Sequence, residues 1–140
     1  MRFLELAESI PYEGRLPDGS AAVESETAII RAVFGYGSVK SMVAAASRSA
    51  ELEAEQDSAW RMALVKMALG QSAYLSGDIS TARKSLDEAL AVITADQPLW
   101  RIGALYLVSV VATDEGRLEE AESRARGPLA GGEVHTAREP

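Results

Sequence analysis

Few residues in this 140-residue chain have the type and spacing that chemistry needs. The sole histidine, His135, lies in the glycine-rich stretch GPLAGGEVHTAREP with no neighbour to orient its ring. A lone imidazole of that kind makes neither a triad nor a metal site. There is no cysteine, which removes thiolate catalysis, cysteine metal sites and disulfides. Serines and glutamates are plentiful, yet none sits in a nucleophile elbow or beside a base at a recognisable spacing. The acidic run Glu51, Glu53, Glu55 and Asp57 could be read as a cation site. On a helix, however, Glu51 and Glu55 share a face while Glu53 points away, so the run reads as a solvated helix end. No G-x-x-x-x-G-K-[ST] sequence occurs, so no P-loop can cradle a nucleotide. The expectation is a protein that is not an enzyme and has no cofactor and no metal.

Charge narrows the partners. The net charge of −7 repels phosphate backbones, and the 14 lysines and arginines are scattered. The nearest approach to a basic cluster, Arg117, Arg124 and Arg126, is interleaved with Glu119, Glu120 and Glu122. No nucleic acid partner is expected for this segment. At the N-terminus, Glu5 and Glu8 interrupt the apolar stretch that an export signal would need, and the longest apolar run, residues 102–113, is roughly half a membrane span. The chain therefore reads as cytoplasmic, with no membrane partner.

The elements that would position any site are helices. In LSGDISTARKSLDEAL, Gly77 can end one helix in a left-handed conformation and Asp78 can cap the next. Ile79, Ala82, Leu86, Ala89 and Leu90 then share one face, with Arg83–Asp87 and Lys84–Glu88 at i,i+4 on the other. This helix hairpin recurs. A shift of 39 places Gly77 on Gly116, Ile79 on Leu118, Ala82 on Ala121, Leu69 on Val108 and Ala73 on Ala112. A weaker upstream copy is centred on Gly37, which precedes Gly77 by 40.

The pattern predicts helices over 23–35, 39–55, 58–75, 79–94, 98–114 and 118–126. Starts are expected at Ser38, Asp57 or Ser58, Asp78 and Gln97 before Pro98. A short helix at 2–9 and a loop rich in proline and glycine make up a 1–22 N-terminal region. Helical repeats fill 23–127, and a flexible tail is expected over 128–140, because Pro128 interrupts the third copy and Gly131-Gly132 loosens the residues beyond it. Three hairpins with a period near 40 point to an all-α solenoid, in which each hairpin buries its apolar face only against its neighbours.

Leu69-Gly70, Ala73, Gly77-Asp78, Ala82, Leu86 and Ala89-Leu90 stand at the spacings of the tetratricopeptide repeat, which this region resembles. The period is longer than that of the standard repeat, and Lys66 stands where tryptophan is commonest. A longer stretch is more specific. The ordered set LPDGS, W-R, ALG, GD and EGRLEEAE, reaching to about Arg126, is similar to the repeat region of MalT-type, ATP-dependent LuxR-class transcriptional regulators.

The resemblance implies a right-handed solenoid of about three antiparallel hairpins that binds a protein or small-molecule effector and couples that event to oligomerisation. It also implies that first helices line the concave side. Phe34, Tyr74 and Tyr106, with Arg31, Gln71, Val110 and Thr113, would then line a partner or effector groove. Trp60 and Trp100, which open equivalent helices, are expected to pack between repeats. The alternative is a free-standing tetratricopeptide-like adaptor or a self-association module. In that case homo-oligomerisation would use the C-terminal repeat, where Val108, Val111, Ala112, Leu118, Ala121 and Ala125 are expected to be poorly covered.

Overall fold

A computed structural model of the chain describes residues 2–12, 14–17, 19–35, 37–56, 58–94 and 97–130, with the side chains of all of these except 2 and 127–130. Asp57, His135, Gly131-Gly132 and the rest of the expected tail beyond residue 130 lie outside them. The regular elements among the described residues are seven helices: α1 (Arg2–Glu8), α2 (Val23–Phe34), α3 (Val39–Glu53), α4 (Ala59–Leu75), α5 (Ile79–Val92), α6 (Pro98–Asp114) and α7 (Leu118–Ala130). The fold is all-α. No helix among the described residues is long and apolar enough to cross a membrane.

Local sequence explains where the helices start. Ser38 Oγ accepts from Ser41 N–H at 3.2 Å, and Asp78 Oδ1 accepts from Thr81 N–H at 3.0 Å, each satisfying a donor that the first turn leaves over. Pro98 occupies the first turn of α6, where a missing N–H costs nothing. Ser58 and Gln97 precede their helices without a side-chain capping bond.

The same kind of helix terminus occurs twice, 39 residues apart. After α4, Gly77 takes a φ of 84° and Asp78 N–H reaches back to the Ala73 carbonyl at 2.9 Å. After α6, Gly116 takes a φ of 73° and Arg117 N–H reaches the Ala112 carbonyl at 2.8 Å. Both are the left-handed glycine terminus in which the N–H beyond the glycine satisfies a last-turn carbonyl.

Consecutive helices pack on one another from α1 to α7, and α4 also touches both α2 and α6. Ala73, Ala82, Leu86, Val108 and Val111 form one core cluster between α4, α5 and α6. Ala63, Ala89, Ile93 and Ala104 form a second, and Ala32, Ala46 and Ala68 a third that joins α2, α3 and α4. Small residues dominate because the helices approach closely. At Gly70 a Cβ would fall 2.6 Å from Leu86 Cγ, so only glycine lets α5 come this near.

Two expectations need correction. The sequence pattern ends the last helix at 126, whereas α7 runs to Ala130. Pro128 lacks the N–H that would reach back one turn, so one bond is lost without ending the helix. The stripe expected to lie open is also mostly covered: Val108 and Val111 lie in the core cluster with α4 and α5, Ala112 and Ala121 are buried as well, and α7 folds back onto α6. Arg83 on α5 holds α7 there, bonding Glu120 at 2.5 Å and Glu115 at 3.3 Å. Leu118 and Ala125 remain exposed, and Leu99, Ile102 and Tyr106 form an exposed line along α6 that the repeat pattern does not single out.

Candidate functional site

An apolar groove of about 260 Å³ lies where α2, α4 and the start of α6 meet. Ile29, Ile30, Val33 and Phe34 come from α2, Leu64, Met67 and Gln71 from α4, and Trp100 from α6. Their spacing explains the strip. On α2 the lining positions 26, 29, 30 and 33 are steps of three, one and three, hence one helical face. On α4, residues 64, 67 and 71 do the same. Phe34 is 70% exposed and Trp100 40% exposed, so the groove has two aromatic rims open to solvent.

One polar residue stands toward each end of the strip. Gln71 Nε2 donates to the Val33 carbonyl at 3.0 Å, one of the last-turn acceptors of α2. Because a carbonyl needs a donor, the amide must present its NH₂ to Val33, and Oε1 is the atom left to offer a ligand. Toward the start of α2 stands Glu26, which also lines the groove.

Behind Glu26 is a buried polar network. Arg61, 1% exposed, forms ion pairs with Glu26 and with Glu53, the latter at 3.2 Å. Glu53 is fully buried and accepts from Ser25 Oγ and from Ala21 N–H, the second at 3.1 Å. Ser20 Oγ donates to Glu26 at 2.6 Å. The network ties the loop before α2, the end of α3 and the start of α4 together, and so fixes Glu26 at the groove's edge. The Arg61 guanidinium also lies 5.0 Å from the centroid of the Trp60 ring.

This corrects the reading of the acidic run. Glu51 and Glu55 are exposed as expected of a solvated end, but Glu53 is not. Met42, Ala46, Ser49 and Glu53 recur at steps of four, three and four, which is the buried face of α3. That spacing is the signal that could have found it. Arg61 is the arginine of the W-R pair, and Arg61, Val65, Ala68 and Ser72 recur at steps of four, three and four on the buried face of α4, a signal of the same kind.

The seven predicted groove residues divide. Phe34 and Gln71 line the groove. Arg31 faces another way, its guanidinium bonding both oxygens of Glu8 at 3.1 Å and so holding α1 against α2. That bond is the main cause holding the Glu8 carboxyl below its ordinary range. Tyr74 packs on the cluster of α4, α5 and α6, and its hydroxyl donates to Asp114. Thr113 Oγ1 bonds back to the Ser109 carbonyl at 2.8 Å, Tyr106 is exposed and Val110 half-buried, all on α6 away from the groove. Trp100, expected to pack between repeats, lines the groove from α6 opposite residues of α2 and α4. Among the described residues no group of three or more His, Cys, Asp or Glu is placed to hold a metal ion.

In comparisons with known proteins, no family model, curated protein or solved structure matches the chain.

Proposed function

We propose that this chain is a protein-interaction and effector-sensing module: a tetratricopeptide-like solenoid of about three hairpins, of the kind found in MalT-type LuxR-class transcriptional regulators. In this reading the segment has no NTPase or DNA-binding element of its own, performs no catalysis, works in the cytoplasm, and recognises a partner on the face shared by α2, α4 and α6. The observation that carries it is the groove between those three helices, apolar along its length and rimmed by the exposed Phe34 and Trp100. Further support comes from the 39-residue recurrence of the helix termini and from Gly70 against Leu86, a close contact at the Leu-Gly position of the repeat motif.

The test is fluorescence anisotropy with a panel of labelled peptides, duplex DNA and nucleotide. Saturable peptide binding that Phe34→Ala weakens, with no specific DNA binding and no nucleotide turnover, supports the module. Specific DNA binding or turnover by the chain alone overturns it.

A second reading, self-association, is favoured by the exposed line Leu99, Ile102 and Tyr106 on α6 and by the exposed Leu118 at the start of α7. Such a chain would be a free-standing adaptor that assembles through its C-terminal repeat.

A further inference from the structure

We propose that the groove takes a basic amphipathic helix of a partner protein. The inference rests on the reading of the groove as a partner site and adds the chemistry of the partner.

Size argues for side chains over a free small molecule. At about 260 Å³ the groove is smaller than the pockets of roughly 300–1,000 Å³ that enclose drug-sized ligands. It opens to solvent between the exposed rims Phe34 and Trp100, and suits two or so apolar side chains presented by an element lying above it. Helix-in-groove recognition reads such a strip through anchors at i, i+3, i+4 and i+7.

Charge selects the sign. Glu26 is the only charged residue among those described as lining the groove, and Gln71 offers it an acceptor. Arg31 is held by Glu8 and Lys66 by Glu88, while the one cation behind Glu26, Arg61, is shared with Glu53, so two carboxylates against one guanidinium leave that end of the groove with a net negative charge. The two acceptor sites sit at the levels of residues 26 and 33 on α2, about 10 Å apart at helical rise. A partner helix covers that distance in seven residues, so cationic or donor side chains at i and i+7 would meet Glu26 and Gln71. The apolar residues between them would then fall on Ile29, Ile30, Val33 and Met67. The chain's net charge of −7 would speed the approach of such a partner.

The experiment uses two synthetic helical peptides with the same leucines at i+3 and i+4 between polar positions at i and i+7. One carries lysine and the other glutamate at the polar positions. Trp60→Phe leaves Trp100 as the only indole, so its emission reports the groove. The lysine peptide is expected to saturate the signal, to bind at least tenfold more tightly than the glutamate peptide, and to weaken as salt is added. Phe34→Ala, an exposed position that leaves the fold intact, is expected to weaken it several-fold, and Glu26→Gln to narrow the gap between the peptides. Equal binding of both peptides, still sensitive to Phe34→Ala, overturns the basic partner and leaves the partner groove standing. Lysine-peptide binding indifferent to Phe34→Ala places the attraction on general surface charge and overturns the inference. No saturable signal from either peptide overturns both the inference and the groove reading beneath it.

Discussion

The Tyr74 hydroxyl donates to Asp114 Oδ2 at 2.6 Å, joining the end of α4 to the end of α6 across 40 residues of sequence. The bond to Asp114 first, and burial second, raise the Tyr74 pKa above the ordinary phenol value. Only the protonated phenol can donate, so the contact contributes fully below the unfolded tyrosine value of about 10 and is lost as pH rises through the folded value. Thermal unfolding of the wild type should therefore show an alkaline loss that Tyr74→Phe lacks. An identical pH profile for the two proteins would show that the bond contributes nothing in solution.

Two glycine substitutions separate space from backbone. Gly70→Ala drives a methyl into Leu86 and the Ala82 carbonyl, and should cost about 1–3 kcal/mol, as overpacking does. Gly116→Ala meets no atom within 4 Å but keeps a φ of 73°, so it should cost about 1 kcal/mol through backbone strain alone. Denaturant midpoints measure both. Shortening Leu86 by one methylene should relieve the first penalty and leave the second unchanged.

Removing a partner from the buried network should be severe. Arg61→Ala leaves Glu53 buried without its cation, and the expected loss is about 3–5 kcal/mol. Arg48→Ala, which removes an exposed and solvent-screened pair with Glu24, should cost far less. Equilibrium unfolding in urea compares them directly.

Self-association has its own signature. If Leu99, Ile102 and Tyr106 form an interface, sedimentation velocity should show a dimer or larger species that grows with concentration, and Ile102→Glu should return it to monomer. A wild-type monomer at high micromolar concentration would leave the α6 line without a role in assembly.

Much of the fold was legible because periodicity and punctuation agreed. Glycine with a capping residue at Gly37-Ser38 and Gly77-Asp78, and the apolar steps on α5, placed the helix starts and ends to within about two residues for all but α7. Pro128 misled because a proline's cost is local, and a helix already packed on its neighbour can bear it. The site was only half legible. Motif position singled out Phe34 and Gln71, which line the candidate groove. It also put Arg31 there, because sequence spacing does not show that Glu8, 23 residues upstream, folds back to claim its guanidinium. Glu53 was misjudged for the opposite reason, as its charge outweighed a helical spacing that already placed it inside.

In the proposed function a partner sits in the groove between α2, α4 and Trp100. Methyl NMR of the chain titrated with the lysine peptide tests this most directly. Shifts concentrated at Ile29, Ile30, Val33, Leu64 and Met67, with Val92 and Leu118 unmoved, are the predicted result. Shifts confined to Leu99, Ile102 and Leu118, or to no methyl at all, would contradict it.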